Sequence, residues 1–448
     1  MPRTTNKASS GKTPVSNGAA PVPDLRINGE RMRQEFDALA QIGATPEGGV
    51  TRMALSTEDL QARNWFAERI EESGLYLKDD DAGNLSVVLP GTHGDARTLL
   101  IGSHLDSVPN GGRFDGSIGV LAGLECLRTI REAGMRLPVH LEVIDMTDDE
   151  GCWKGLFGAR ALAGAREFGE LNLSRGDNGP FRAALRRAGI DLQLVGRARR
   201  PPESLAGFLE LHVEHGSRLQ RSDTSIGVVT GIVGRRTYRV AFHGEAGHSG
   251  TTDMYKRRDA LRGAALFIVR AHDLVRDRFN DGIFNCGNVE VKPGAFNIIP
   301  SDASLTVEIR HVNAELMQAM EAALLAVARE CAASFTLSVT IDLVQQMPAA
   351  TMDIGIVQAI EQAADGLGLS HMPLVSYSGH SAQVLGQVTS SGMIFIPSVG
   401  GIGHHPSEFT PWEDVVDGAN TLLRTILIWA MRDGHRRGRS RRGAGAES

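Results

Sequence analysis

The chain has 448 residues, 42% of them apolar and 22% charged, with a formal net charge of -6. A chain this long outgrows a single core, so two domains are expected, and the composition and charge fit an ordinary globular enzyme and argue against a nucleic-acid partner. Cys126, Cys152, Cys286 and Cys331 are scattered with no CxxC pair, which argues against a zinc knuckle or disulfide scaffold and points to a reducing cytoplasm. No apolar run reaches the roughly 18 residues of a spanning helix, and the N-terminus has no apolar leader, so neither a membrane partner nor secretion is expected.

Residues 1–24 are rich in Ser, Thr, Asn, Pro and Gly and bury too little to fold, which predicts a disordered tail. Helical periods then occupy INGERMRQEFDALAQIG and TEDLQARNWFAERIEESG, the second opened by Ser56 or Thr57 and closed by Gly74. The strands NLSVVLPG, TLLIGSH and VHLEVIDMT alternate with the helix SIGVLAGLECLRTIREAG, the rhythm of an α/β fold. The expected sheet is mixed and mostly parallel, with helices on both faces. After Gln220 the order changes to strand, strand, helix, strand, strand, helix, strand, which suits an inserted α+β lid or dimerisation domain. The predicted division is a catalytic domain over 25–222 and 335–433, interrupted by a lid at 223–334. A basic tail at 434–448 is expected to be disordered.

Chemistry concentrates in Gly-bounded segments at strand ends. His104, Asp115, Glu150, His212 and His404 can together supply a carboxylate-bridged pair of divalent metal ions, zinc or manganese. Hydrolytic metals about 3.5–4 Å apart need neutral imidazoles, terminal carboxylates and one bridging carboxylate. The expected arrangement gives one metal His104 and His212, the other Glu150 and His404, with Asp115 between them. Asp106, two residues beyond His104 on the same strand face, is placed to hold the imidazole tautomer from behind. Asp149, adjacent to Glu150, is the natural general base. Ser378 lacks a GxSxG elbow, which argues against a serine hydrolase.

Seven motifs in order carry a resemblance: GSHLDSVPNGGRFDG, DDEG with FGARALAG, ELHVEHG, GEAGHSGTTDM, FNIIPSDASLTVEIRH, SGHSAQ and IPSVGGIGHHPSEF. Over residues 26–432 the chain resembles the N-carbamoyl-L-amino-acid hydrolases, β-ureidopropionases and allantoate amidohydrolases of the di-metal aminoacylase and carboxypeptidase-like superfamily. The resemblance implies the same five metal ligands, with His404 chosen over His405 because it follows the small residue Gly403. It implies that His248 stabilises the oxyanion, that Asn297 and Arg310 bind substrate, and that part of this lid set comes from the other subunit of a homodimer. Gly379 and His380 are expected to line the pocket.

The implied activity is cleavage of a linear C–N amide bond in an N-carbamoyl amino acid or related ureido acid by a metal-activated water. The implied substrate is a small carboxylate-bearing amide. An N-acyl amino acid amidase or dipeptidase is the alternative within the superfamily. The departures from the family pattern are Asp149 for Glu, His215 for Gln, and Arg235 for a substrate-contacting Gln. Arg235 and His215 suit a substrate with extra negative charge, and the shorter Asp149 raises the alternative of a weakly active metal-binding paralogue.

Overall fold

Among the described residues thirteen strands follow in chain order: β1 (Tyr76–Asp79), β2 (Leu85–Leu89), β3 (Thr98–Ser103), β4 (His140–Asp145), β5 (Leu205–Val213), β6 (Ile226–Ile232), β7 (Gly234–His243), β8 (Ile283–Lys292), β9 (Asp302–His311), β10 (Ser338–Met347), β11 (Ala350–Thr351), β12 (His371–Ser376) and β13 (Ser391–Ile396). The computed structural model describes residues 23–165 and 179–444, with side chains described as far as Asp433. The expected N-terminal tail therefore lies almost wholly outside the described residues.

Nine strands form one sheet in the order β1-β2-β4-β3-β5-β13-β6-β11, with β12 pairing β6. Its four central strands, β4, β3, β5 and β13, run parallel, and antiparallel pairs flank them. Parallel neighbours need a crossover, which helix Ser117–Glu132 supplies between β3 and β4. Every residue of β5 is buried, as a central strand covered on both faces requires. Its side chains alternate between the two helix layers. Leu211 meets Gly418 of the helix Trp412–Ala444, whereas Glu210 accepts the amide of Ala382 at 2.9 Å from the other side. The expected helix start at Ser56 holds, since its hydroxyl caps the Asp59 amide at 3.2 Å.

The other four strands form an antiparallel sheet, β10-β7-β9-β8, covered by helices Ala260–Arg278 and Ala314–Ser334 around a core that includes Phe242, Phe267, Leu305 and Met320. This places the insert at Gly234–Met347, shifted from the expected 223–334. IGVVTGI (β6) belongs to the large sheet because it is buried on nearly every residue, and SVTIDLVQQM (β10) belongs to the insert because its burial alternates. A second difference is at the C-terminus. The final helix continues through 434–444, expected as disordered, because arginine is a good helix former and extending an existing helix needs no new nucleus. Among the described residues no helix is long and apolar enough to cross a membrane.

Only Val233 and Pro348–Ala349 separate the two sheets along the chain. The buried Gln383 amide ties both crossings, donating to the Val233 carbonyl at 2.9 Å and the Pro348 carbonyl at 2.8 Å. Gln383→Leu strands two carbonyls at a cost of about 1–3 kcal/mol each. Gln383→Glu sets a carboxylate against them and destabilises further. Urea midpoints should fall in the order native, Leu, Glu.

Candidate metal centre

The carboxyl ends of β3, β4, β5 and β13 open onto one cavity of about 310 Å³, where open α/β sheets place their ligands. His104 directly follows β3, Asp149 and Glu150 lie in the loop after β4, His212 is the penultimate residue of β5, and His404 hangs from the loop after β13. Asp115 comes from the loop that precedes helix Ser117–Glu132. Gly116 there has φ +66, and a Cβ on it would lie 2.4 Å from the His104 ring, so only glycine lets Asp115 turn inward beside that imidazole.

Asp115 is the focus of the cluster. Its Oδ1 lies 3.0 Å from His212 Nε2 and 3.6 Å from His104 Nε2. Its Oδ2 lies 3.2 Å from His215 Nε2 and 3.3 Å from His404 Nε2. Glu150 closes the second half, with Oε2 3.4 Å from His404 Nε2. Asp149 reaches to 3.9 Å from His104 Nε2 and accepts a short hydrogen bond from the Ser381 hydroxyl. Two groups thus gather ligand atoms within 4.8 Å of one another: His104, Asp115 and His212, and Asp115, His215 and His404.

The residues fit divalent metal. Asp115 Oδ2, Glu150 Oε1, His215 Nε2 and Glu408 Oε2 are buried without hydrogen-bond partners, an expensive condition for polar atoms unless something else coordinates them. Charge tells the same story. Burial, then repulsion from Asp115, Asp106 and Asp149, drives the Glu150 pKa well above the usual carboxylate range. Burial also works against ionised Asp115, but the imidazoles of His215, His212 and His404 hold its pKa well below that range. Burial opposes a charge on His215, yet the Asp115 and Glu408 carboxylates push its pKa up to about 10. A divalent ion between these carboxylates would favour their ionised forms.

The outer groups partly depart from expectation. Asp106 is buried, but its carbonyl oxygen, 3.0 Å from His104 Nδ1, holds the imidazole more closely than its carboxylate at 3.5 Å. The Asp106 carboxylate instead accepts the amides of Asp149 at 3.3 Å and Glu150 at 3.1 Å, pinning the acidic loop. His380 packs edge-on to His212, with ring centroids 4.6 Å apart. Burial, then the neighbouring His212 and His215, keeps its pKa well below that of ordinary histidine. Arg235, Arg310, Gly379 and His380 line the cavity together with Gln345 and Met347. Arg310 is held by Glu308 at 2.7 Å and donates to the Tyr377 carbonyl.

His248 and Asn297 are exposed and do not line the cavity of their own chain. They meet each other instead: the Ser249 amide donates to the Asn297 carbonyl at 3.0 Å, and His248 forms a bridge with Ile298. The physical reason is their position on loops of the insert, away from the strand ends that carry the metal cluster. His405 is also turned away, its Nδ1 accepting the Ser407 amide at 3.1 Å.

Known proteins resemble this chain along most of its length. Residues 100–428, which span all five expected ligands, match the family model "Peptidase family M20/M25/M40". An N-carbamoyl-L-amino acid amidohydrolase of Geobacillus stearothermophilus is 34% identical over 410 residues, 91% of this chain and 100% of that one. The chain belongs to this family. The allantoate amidohydrolase of Escherichia coli is 32% identical over 87% of this chain and 96% of its own. A crystal structure of an amidase of the hydantoinase/carbamoylase family from Burkholderia multivorans superposes with a TM-score of 0.80 at 34% identity, covering 91% of this chain and 99% of that one. The protein is a metal-dependent amidohydrolase, acting on carbon–nitrogen bonds other than peptide bonds.

Three site residues of this amidohydrolase escaped the sequence reading. Buried Glu408 accepts the amides of Phe114 and Asp115, both at 3.0 Å, and so fixes the backbone that presents Asp115. Ser381 holds Asp149, and Glu210 takes the Ser103 hydroxyl at 3.1 Å. Glu210 had a signal: a charged residue inside the apolar run GFLELHV is anomalous for a covered strand. Glu408 and Ser381 sat inside quoted motifs but carried no separate signal. Glu408→Ala leaves two buried amides unpaired, at about 1–3 kcal/mol each. Its urea midpoint should fall well below that of Glu408→Gln, which retains an acceptor.

Proposed function

We propose that the protein hydrolyses N-carbamoyl amino acids or closely related ureido acids at a centre for two divalent ions, zinc or manganese. The observation that carries this reading is the placement of two imidazoles against each oxygen of Asp115, beside buried donor atoms without partners. In the proposed assignment His104 and His212 would hold one ion and Glu150 and His404 the other, with Asp115 available to both. Such ions, when bound, lower the pKa of water and polarise the scissile carbonyl.

The chain's own groups do the rest. Asp149 accepts the proton of the attacking water and passes it to the leaving nitrogen. Its side chain is short, and the Ser381 hydroxyl fixes its direction, which supports turnover over a binding-only paralogue. Asp106, by gripping the amides of Asp149 and Glu150, keeps base and ligand in register. Arg310, with its planar fork held by Glu308, receives the substrate carboxylate, and Arg235 favours a further negative group. Gly379 and His380 shape the pocket wall. Hydrolysis of a carbamoyl substrate with one water yields amino acid, carbon dioxide and ammonia.

His248 and Asn297 serve the site of a second subunit, with His248 steadying the oxyanion there. Their exposure on the insert, beside the exposed Tyr255 and Phe296, supports a homodimer. The four free cysteines suit a reducing, cytoplasmic compartment.

Zinc- or manganese-loaded protein should release ammonia from N-carbamoyl amino acids faster than acetate from the matching N-acetyl compounds, and chelation should abolish both. The opposite preference would favour an acyl amidase. Asp149→Ala should lower kcat by about 10²–10⁴-fold with metal content unchanged. Mixing inactive Asp149→Ala with inactive His248→Ala, after dissociation and reassociation, should recover about a quarter of native activity, because hybrid dimers rebuild one complete site. Recovery of none would mean that His248 acts within its own chain, and full activity of His248→Ala alone would mean that it does not act at all.

A further inference from the structure

His215 lines the cavity, and its ring is turned to the Asp115 carboxylate. Its Nε2 is 3.2 Å from Asp115 Oδ2, the oxygen that also faces His404 Nε2 at 3.3 Å. Nε2 is buried and has no hydrogen-bond partner, as is the nearest further carboxylate oxygen, Glu408 Oε2 at 3.6 Å. The local fold is arranged to seat this ring. His215 has a positive φ of 50°, uncommon outside glycine and concentrated at functional sites. A Cβ on Gly403 would lie 2.4 Å from the His215 ring, so the residue before His404 must be glycine for both imidazoles to fit. The two rings stand nearly perpendicular, with centroids 5.3 Å apart, converging on the same carboxylate.

We infer that His215 is an additional ligand of the second metal ion, joining Asp115, Glu150 and His404. This rests on the two-metal reading above and changes what that site prefers. Imidazole nitrogen suits zinc, whereas carboxylate and water ligation suits manganese. An added imidazole therefore biases the second site toward zinc.

The test is metal analysis rather than turnover. Native protein and His215→Gln are stripped, loaded from equimolar zinc and manganese, freed of excess metal and analysed by mass spectrometry, with zinc affinity measured by competition with a chelator. Native protein should hold two ions, mostly zinc. His215→Gln should keep the first zinc, bind the second at least about 10-fold more weakly, and take up a larger share of manganese. Equal or tighter second-site zinc binding in the variant would overturn the inference, since His215 would then be a cation competing with metal for Asp115. Native protein that retains no metal would instead refute the two-metal reading itself. Should the variant fail to fold, anomalous diffraction from zinc-loaded native crystals decides. Zinc about 2.0–2.1 Å from His215 Nε2 supports ligation, and zinc at the site but beyond bonding reach of that atom refutes it.

Discussion

One buried carboxylate organises the active end of this molecule. Asp115 must be charged to attract cations, yet it lies where charge is costly, and four imidazoles from three separate segments converge to make that tolerable. Everything around it serves the convergence. Glu408 fixes its backbone, Gly116 clears room beside His104, and Asp106 pins the loop that brings Asp149 and Glu150 to the same place. The acidic loop and Asp115 repel each other, as the raised Glu150 shows. The fold thus stores an electrostatic demand that a divalent ion answers.

The parallel centre of the sheet explains why residues more than a hundred positions apart meet. β3, β4, β5 and β13 all end on one edge, so the last residues of β5 and the segments that follow β3, β4 and β13 reach the same place. Direction and adjacency of strands do the assembling. No single segment contains a site.

Much of this was legible from residues. His104 after an apolar strand, Asp115 in a Gly-rich loop and the acidic turn after LEVID each announced a functional strand end, and the alternation of strands and helices gave the α/β class. Burial pattern would have corrected the insert boundary: IGVVTGI lacks the alternation that SVTIDLVQQM shows, a distinction that separates a strand covered on both faces from one covered on a single face. Contacts made by folding alone stayed hidden. Nothing in PSEF says that Glu408 turns back to cap two amides, and nothing in ELHVEHG says whether His215 faces substrate or carboxylate. The resemblance implied that part of the lid set serves a second subunit without saying which residues, and His248 and Asn297 are two that lie outside their own chain's cavity.

The clasp formed by Gln383 joins two parts of the site. Two short crossings are fastened to one side-chain amide, at Val233 and at Pro348. Arg235 and Met347 stand beside those crossings, and Arg310 is Arg235's partner across the strand pair. Because Gln383 is two residues from Ser381, the amide that fastens the insert and the hydroxyl that holds Asp149 belong to the same short helix. One helical turn thereby anchors both the arginine-bearing strands and the base.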